Sequence, residues 1–529
     1  MSALAEARAA LRDIPADIDM ALASPGWRRN VTWPVSLAEA NRVGRAQMRA
    51  ALTWANKLDD ALLRDSALLA LPLILSYARA IVLTALAVSR AARSNARLAG
   101  TAPELIYLQR GEGPLPSRTD PTLPPEPFRF PLLRRLARMR TWSGLTRLPR
   151  ALFAPDAVAV SHNQLLRAVA AKSRQAIGFS HAELILDAAR RRSHVNPVVP
   201  DSAAKLASAI LGAAPQIDEP YRERVFALVV AMARPHLRKA VADMAALRSA
   251  PLPGEIWTGS GGLYAPRAVG LEVLRRGGRV RRFDHGTPRE FVATIETTTL
   301  LELAVSSDFV LATEGAARIC RDELDDSLLP PSRSVAIHGA DGDPVFADVP
   351  AGRVRAQTGA RLRVVYAPTQ LLGFRQLLPA LPPDVVHLDW QMRVAEALQE
   401  LPIDFLCQAH PEGLLKNRPH PLETVAPTIR GDFDRQLQSA DVFIFDCPTT
   451  TALWEVACTD ARIVYLDMGA GSMTPKVARL FAERAIVIPV AHDENNRPVF
   501  DAGALRRAVL DNAPKPDPTP FRRLLAGAA

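Results

Sequence analysis

Two histidines of this chain each follow a short apolar run and come directly before a residue that bends the backbone. His285 lies in FDHGTPREF, where glycine comes next, and His410 lies in LCQAHPEG, where proline comes next. Glycine allows a sharp turn close to a ligand, and proline ends regular structure. An imidazole at the end of a strand can remove a proton from a hydroxyl or contact a phosphate oxygen. Taken singly, either histidine also fits a core or capping role.

A third segment, DVFIFDCPTTTALWEVA, joins an apolar run to a helical pattern through a turn rich in hydroxyl groups. Thr449, Thr450 and Thr451 fall where the first free backbone N–H groups of the helix point outward, an arrangement that binds phosphate. Glu455 lies one turn further along the same face, where it can accept a hydrogen bond from a ribose or glycerol hydroxyl. The same residues also fit a plain threonine N-cap followed by a helix-stabilising acid.

Two segments that contain glycine partly match known ligand-binding motifs. The loop Thr258–Gly262 lacks the lysine of a P-loop and the spacing of GxGxxG, and we expect it to line the acceptor side of a cleft. The segment Asp341–Gly342–Asp343 matches the DxD pattern that binds metal in some glycosyltransferases. It follows a predicted strand and leads into what reads as a connection between domains, so we expect no metal there.

The order of the motifs HGTP, YAPT, HPEG and DCPTTTxxxE resembles the CDP-glycerol glycerophosphotransferase family and related enzymes of surface-carbohydrate synthesis, over roughly Glu255–Asp467. That resemblance implies a GT-B fold, in which two Rossmann-type domains face a cleft. It also implies that His285 is the catalytic base and that His410 contacts the nucleotide pyrophosphate. The expected donor-binding residues are His410, Thr369, Asp446, Thr449, Thr450, Thr451 and Glu455, and the expected acceptor-side residues are Gly259, Ser260, Gly261 and Thr287.

Two positions depart from the pattern of that family. Counted back from Glu455, the usual acid would fall at Pro448, so Asp446 is displaced by two residues. The family generally follows HGTP with a Leu–Lys pair, whereas this chain has Arg289–Glu290. The run of three threonines also resembles transferases that move sugars, so glycerol phosphate and a sugar both stay open as the transferred group.

The elements that must position these residues form two α/β series preceded by helices. A strand, a glycine loop, a helix and a second strand between Glu255 and Phe283 make a βαβ unit, from which parallel sheets are built. We predict a helical N-terminal region over residues 1–100, an acceptor-side α/β domain with helical insertions over residues 101–347, and a nucleotide-binding α/β domain over residues 348–529. The predicted strands are Ala157–Val160, Glu255–Trp257, Arg279–Phe283, Phe309–Ala312, Ser334–Ile337, Leu362–Tyr366, Phe405–Gln408, Val442–Phe445, Ile463–Leu466 and Ile486–Pro489.

The composition is that of a globular protein, with 48% hydrophobic and 23% charged residues among 529. Four cysteines without CxxC spacing favour a reducing compartment, and the acidic N-terminus lacks the pattern of a signal peptide. The segment Leu68–Ser89 is long enough to span a membrane. Arg79 at its centre and Pro72 in its first third favour a buried helix instead.

The formal charge of +10 is unevenly distributed along the chain. The segment Pro131–Phe153 holds six arginines and no acid, interleaved with apolar residues. Such a strip suits an anionic membrane surface, through Arg134, Arg135 and Arg138, and equally suits a solvated basic helix. No nucleic-acid recognition module accompanies the charge, so nucleic acid is not an expected partner.

These features together predict a cytoplasmic transferase, peripheral at the inner face of the plasma membrane if the basic strip binds lipid. It would move a glycerol-phosphate or sugar unit from a nucleotide-activated donor to a hydroxyl of a cell-surface polysaccharide or lipid-linked acceptor, without a cofactor or metal. Two alternatives remain open at this point: a GT-B-like binding or scaffold subunit of a polysaccharide assembly complex, and an NDP-sugar epimerase or hydrolase.

Overall fold

The computed structural model describes residues 12–116, 144–193 and 201–527, apart from residues 260, 287, 332, 351, 353–360, 377, 432 and 512–515. Within this part of the chain the architecture is α/β and contains two six-stranded parallel sheets. The predictions of an α/β class and of two parallel sheets are therefore confirmed. Arg134, Arg135 and Arg138 lie outside the described residues.

The region before the first sheet is mainly helical. Its helices are α1 (Ile18–Leu22), α2 (Leu37–Asn56), α3 (Ala61–Arg93), α4 (Pro103–Arg110) and α5 (residues 144–153). The sequence did not predict that strands β1 (Arg12–Pro15) and β2 (Ala96–Ala99) pair in parallel. This pairing brings the chain that leaves α3 back beside the segment that precedes α1.

The long helix α3 belongs to the core. It has the length and hydropathy of a membrane-crossing helix, but 78% of its most apolar window is buried inside the fold. Near its middle, Arg79 is buried and its Nε donates to the carbonyl of Leu75 at 3.2 Å. Burial lowers the pKa of Arg79 to about 10, so the side chain is still charged at neutral pH. This packing agrees with the prediction of a buried helix.

The first sheet consists of six parallel strands in the order β4-β3-β5-β6-β7-β8. The strands are β3 (Ala157–Ala159), β4 (Ile177–Phe179), β5 (Glu255–Thr258), β6 (Arg279–Phe283), β7 (Asp308–Leu311) and β8 (Ala336–Gly339). The helices are α6 (Gln164–Lys172), α7 (Ala182–Arg192), α8 (Ala203–Gly212), α9 (Tyr221–Leu247), α10 (Tyr264–Arg275), α11 (Ile295–Leu301), α12 (Glu314–Asp322) and α13 (Pro344–Ala347). The winding direction reverses between β3 and β5, and we call this place the first switch point.

The second sheet has the order β11-β10-β9-β12-β13-β14, again all parallel. Its strands are β9 (Arg363–Tyr366), β10 (Asp404–Ala409), β11 (Thr428–Arg430), β12 (Val442–Phe445), β13 (Arg462–Asp467) and β14 (Ile486–Pro489), and a hairpin of β15 (Ala491–His492) and β16 (Pro498–Val499) follows. The helices are α14 (Asp384–Gln399), α15 (Phe433–Ser439), α16 (Thr451–Ala457), α17 (Pro475–Arg484), α18 (Ala502–Leu510) and α19 (Thr519–Phe521). Counted along the chain this is the 3-2-1-4-5-6 order of dinucleotide-binding folds, with a second switch point between β9 and β12.

The segment that follows β6 joins the two sheets. A 3-10 turn at Arg289–Phe291 leads to an antiparallel bridge between Val292 and Met473. The carbonyl of Phe291 accepts a hydrogen bond from the N–H of Thr474 at 2.9 Å, and the Phe291 ring packs edge-on against Trp454. The loop that carries His285 is therefore anchored in both halves of the molecule.

The C-terminal segment also connects the two halves. After α19 the chain makes a π-helical turn over Arg522–Ala526 and packs beside the corner that follows β8. Thr313, the N-cap of α12, donates to the carbonyl of Leu524 at 2.7 Å. The N–H of Asp343 donates to the carbonyl of Leu525 at 2.9 Å.

Candidate functional site

At the first switch point, the neighbouring strand ends are joined by hydrogen bonds of residues that the sequence did not predict to be functional. Ser161 Oγ accepts a hydrogen bond from the N–H of Gly259 at 3.0 Å. The Asn163 amide donates to the carbonyls of Gly259 at 2.9 Å and Asp284 at 2.6 Å, so it links the carboxyl ends of β3, β5 and β6. A Cβ atom on Gly259 would lie 2.6 Å from the backbone nitrogen of Asn163, which leaves room for glycine alone. The polar triplet Ser–His–Asn directly after an apolar run is the sequence signal for this point.

The expected acceptor-side loop continues into a tight contact at Gly261. A Cβ atom there would lie 2.1 Å from a carboxylate oxygen of Glu302, so no other residue fits. The fully buried guanidinium of Arg267 donates to the carbonyl of Gly261 at 3.0 Å and to that of Leu68 at 2.6 Å. The loop is therefore held against both α11 and α3. Ser260 lies outside the described residues.

His285 stands at the carboxyl end of β6 with 35% of its side chain exposed. Its Nε2 lies 3.5 Å from Nη2 of Arg289, and its Nδ1 lies 3.9 Å from Oδ1 of Asp284. Burial and the positive charge of Arg289 hold the pKa of His285 below its ordinary value. The imidazole is therefore neutral at neutral pH, which is the form that accepts a proton. Thr287 lies outside the described residues.

Next to His285 lies a group of charged side chains, all buried except the half-buried Arg289, which we call the charge cluster: Arg282, Asp284, Arg289, Glu290 and Glu302. Arg282 Nε lies 3.6 Å from one carboxylate oxygen of Glu302, and Arg289 Nε lies 3.7 Å from the other. All three nitrogens of Arg282 and both oxygens of Glu302 are buried, and none has a hydrogen bond among the described residues. Burial raises the pKa of Asp284 to about 8 and that of Glu290 well above its ordinary value.

Asp446 occupies the second switch point, and its side chain is fully buried. Its carboxylate accepts hydrogen bonds from the Tyr366 hydroxyl at 2.6 Å, Trp390 Nε1 at 3.1 Å and the N–H of Thr369 at 3.3 Å. Thr369 is itself largely buried, with 8% of its surface exposed. Asp446, in the turn after β12, is therefore hydrogen-bonded to the loop after β9 and holds the two segments together. Direct contact of Asp446 or Thr369 with a donor stays a prediction.

The three threonines line the turn between β12 and α16. Thr449 is exposed, whereas Thr450 and Thr451 are half-buried. Thr450 is the N-cap residue with extended backbone, and its side chain makes no capping hydrogen bond. Trp454 Nε1 donates to the carbonyl of Pro448 at 2.9 Å and so fixes the turn. Because α16 has only seven residues, its dipole is short, and phosphate binding here would depend on hydroxyl and backbone N–H groups.

Glu455 lies one turn into α16, partly exposed. Burial, followed by the nearby charge of Asp434, raises the pKa of Glu455 to about 7. The carboxyl group therefore changes its charge within the physiological range, and a hydrogen bond that it accepts from a ligand hydroxyl would depend on pH.

His410 follows β10, the neighbour of β9. Its Nδ1 accepts a hydrogen bond from the N–H of Glu412 at 3.1 Å, so in the neutral ring Nε2 carries the proton. Burial holds the pKa of His410 below its ordinary value. Gly413 has a φ of +99°, and a Cβ atom there would lie 2.6 Å from the carbonyl of Leu371, so this loop packs closely on the loop after β9. His410 can therefore present an Nε2–H donor to a phosphate oxygen.

The loops after β6 and β12 meet each other. Gly286 has a φ of +83°, and a Cβ atom built on it would lie 3.8 Å from Cγ2 of Thr451. The backbone beside His285 therefore passes the threonine turn at a distance that a single methyl group would fill. Two motifs separated by more than 150 residues in the sequence, one from each sheet, are brought to one place.

The acids of the segment Asp341–Gly342–Asp343 are engaged with other parts of the protein. Asp341 pairs with Lys172 at 3.0 Å, and a carboxylate oxygen of Asp343 accepts from the N–H of Val345 at 3.0 Å as the N-cap of α13. Across the described ranges, no group of three or more His, Cys, Asp or Glu side chains is arranged to hold a metal ion.

No family model matches this chain, and no curated protein matches it significantly. Of the residues expected from the sequence, the structure brings Thr369, Asp446 and the three threonines to the second switch point, and His410 follows the adjacent strand β10. Gly259 and Gly261 lie at the first switch point.

Proposed function

We propose that this chain is a GT-B-type transferase that moves a glycerol-phosphate or sugar unit from a nucleotide-activated donor to a hydroxyl of a cell-surface polysaccharide or lipid-linked acceptor. The observation that carries the proposal is the close approach of Gly286 to Thr451, which brings together carboxyl ends of strands from two parallel sheets. Ligands of open parallel sheets bind beyond those ends, at the switch points. Two opposed ends supply a donor site next to an acceptor site, as group transfer requires.

On the donor side, phosphate oxygens would meet the Nε2–H of His410 and the hydroxyl groups of Thr449, Thr450 and Thr451. These donors are neutral and are fixed before a ligand arrives, so they offset developing negative charge without reorganisation. Glu455 is placed to accept from a hydroxyl of ribose or glycerol. The 3-2-1-4-5-6 strand order supports a nucleotide at this point.

On the acceptor side, the hydroxyl would approach His285 past Gly259 and Gly261. His285 takes the hydroxyl proton while the oxygen forms its bond to the transferred unit. The bond between that unit and a phosphate oxygen of the nucleotide breaks, and this oxygen leaves with the electron pair. The lowered pKa of His285 supports its role as the base because the ring is deprotonated before the acceptor binds.

Donor binding is tested by thermal shift with CMP, CDP, UDP, GDP and their activated glycerol or sugar forms. A ligand at about 100 times its dissociation constant stabilises the folded state by roughly 2.7 kcal/mol. His410→Ala should reduce the shift given by the matching nucleotide. His338→Ala is the matched control, because its ring contacts Asp308 at the first residue of β7 and so points away from the carboxyl ends. A protein that no nucleotide stabilises would contradict the proposal and favour the scaffold alternative.

Catalysis is tested with His285→Ala in the presence of donor and acceptor. Loss of a general base lowers the rate by about 10²–10⁴, with donor binding nearly intact. Unchanged turnover, or loss of donor binding in this variant, would count against the role of His285. Product formed from the donor without any acceptor would instead identify an epimerase or hydrolase.

We also propose that the enzyme works at the cytoplasmic face of an anionic membrane. In helix α5, Ala151 is buried while Leu145 and Phe153 leave 72% and 87% of their surfaces exposed. These two apolar side chains and Pro149 lie on the outward face, in a stretch of sequence whose only charged residues are arginines. Exposed apolar groups beside cationic ones favour insertion among anionic headgroups.

A further inference from the structure

Arg289 connects the charge cluster to His285. One end of its guanidinium, Nη2, lies 3.5 Å from His285 Nε2, and Nε lies 3.7 Å from Glu302. The Arg289 side chain is 24% exposed, whereas that of Glu302 is 1% exposed. The guanidinium therefore has one edge inside the protein and one partly exposed edge beside His285. Arg289 itself lies on the turn that joins the two sheets.

The charges of the cluster do not cancel. Arg282 and Arg289 flank one carboxylate, that of Glu302. Burial raises the pKa values of Asp284 and Glu290 and lowers that of His285, which favours the uncharged form of each. The buried guanidinium of Arg267 also interacts electrostatically with Arg282 and Glu302, so arginines outnumber the Glu302 carboxylate.

The charge cluster therefore holds more positive than negative charge. Asp343, another acid near the cluster, uses its carboxylate to accept the N–H of Val345 at the start of α13. A buried charge without a counter-ion is costly, and Arg282 is fully buried and cannot reach solvent. Arg289 is partly exposed, so it is the arginine of the charge cluster that can contact an anion beside His285.

We propose that Arg289 binds the phosphate of the donor from which the transferred unit departs, and that without donor it covers Nε2 of His285, so that donor binding frees the base. The inference rests on the proposed function and adds to it a cation at the leaving group. Glu302 is a positioning residue, because it holds Arg289 from the interior. The Arg–Glu pair at this position is also where the chain departs from the family that its motifs resemble.

Without donor, Nη2–H of Arg289 points at Nε2 of His285, whose lone pair is then not available to a hydroxyl. A donor phosphate attracts Arg289, and Nε2 takes the proton of the acceptor hydroxyl as the new bond forms. The departing phosphate oxygen keeps the electron pair of the broken bond and accepts a charge-assisted hydrogen bond from Arg289.

The contact is tested without turnover by NMR titration of His285 in the full chain, assigned with His285→Gln, with inorganic pyrophosphate as the anion probe. Pyrophosphate should raise the pKa of His285 in the native protein because Arg289 moves from the ring to the anion. Arg289→Met should raise this pKa without any anion and should abolish the response to pyrophosphate. The same titration curve in native protein and Arg289→Met would overturn the proposal.

Matched variants separate this role from a merely structural one. Arg289→Lys keeps the charge and should retain part of the response. Glu302→Gln should shift the titration of His285 relative to the native protein because Arg289 loses its interior partner. Arg281→Met removes an arginine of β6 that stacks over Trp257 at 5.0 Å, and it should leave the titration of His285 unchanged. A shift in Arg281→Met as large as that in Arg289→Met would overturn the specific contact.

Steady-state kinetics of the native protein and of Arg289→Met provide a second test. Arg289→Met should lower kcat by about 10²–10³, the usual cost of a lost charge-stabilising donor, with a smaller change in KM. The acidic limb of kcat/KM should move to higher pH, because a base with a raised pKa needs higher pH to lose its proton. If the native protein turns over no nucleotide donor, the proposed function fails, and the titration still decides whether Arg289 controls His285. Normal kcat in Arg289→Met would overturn the leaving-group role.

Discussion

Asp446→Ala is expected to damage both stability and donor binding, because this carboxylate is the support of the second switch point. The substitution leaves the Tyr366 hydroxyl, the Trp390 N–H and the Thr369 N–H without their shared acceptor. Each buried donor left unpaired costs about 1–3 kcal/mol. Water that enters the vacated space recovers part of this, so we expect a net loss of about 3–5 kcal/mol. At roughly 2–4 °C per kcal/mol, the midpoint of thermal unfolding should fall by roughly 6–20 °C.

The measurement is differential scanning calorimetry of Asp446→Ala beside Tyr366→Phe. The second variant removes one donor and leaves Asp446 bonded to Trp390 and Thr369, so it should cost about 1 kcal/mol. Nucleotide affinity should fall in Asp446→Ala more than in Tyr366→Phe, because only the first releases the loop after β9. A midpoint for Asp446→Ala no lower than that for Tyr366→Phe would refute the view that this carboxylate holds the network together.

Three further predictions concern other parts of the site and surface. Donor affinity should fall as the pH drops through about 7, because Glu455 takes up a proton there, and isothermal titration of Glu455→Gln should show no such dependence. Gly261→Ala should destabilise the fold by about 1–3 kcal/mol, whereas Gly262→Ala, whose Cβ would meet nothing within 4 Å, should unfold in urea like native protein. Replacing Leu145 and Phe153 together by Ser should release the protein from vesicles that contain phosphatidylglycerol; the control is Leu184→Ser, a site of 47% exposure on α7, and equal release by both variants would contradict the membrane surface.

The strand Val442–Phe445 could be predicted from the sequence because it is buried on both faces and reads as one apolar run. Arg279–Phe283 and Ile486–Pro489 also have their predicted bounds, although both strands include exposed residues. The strands β4 and β11 have three residues each and lie at sheet edges, so they leave no run long enough to recognise. The pairing of β1 with β2 joins segments on either side of three helices, and local pattern holds no information about such a contact.

The site could be predicted only in part, for a related reason. Strand ends marked by glycine or proline identified His285, His410 and the threonine turn. The role of Asn163 depends on carbonyls that come from two other strands, so its own neighbourhood in the sequence does not reveal it. Arg282 lies in the run RVRRF, where a charged residue normally indicates a solvent-facing position, and only the packed structure shows that it is fully buried.

The return of the last residues to the first sheet affects how the chain matures during synthesis. The corner after β8 obtains its hydrogen bonds at Thr313 and Asp343 from Leu524 and Leu525, and Gly342 approaches so closely that a Cβ atom would lie 2.0 Å from the carbonyl of Ala526. A ribosome adds about 5–20 residues per second, so the first half waits on the order of ten seconds or more for these partners. During that interval the corner after β8, which lies beside β7, lacks its hydrogen bonds to Leu524 and Leu525. Completion of the hydrogen bonds of the first half is thus coupled to translation of residues 519–526.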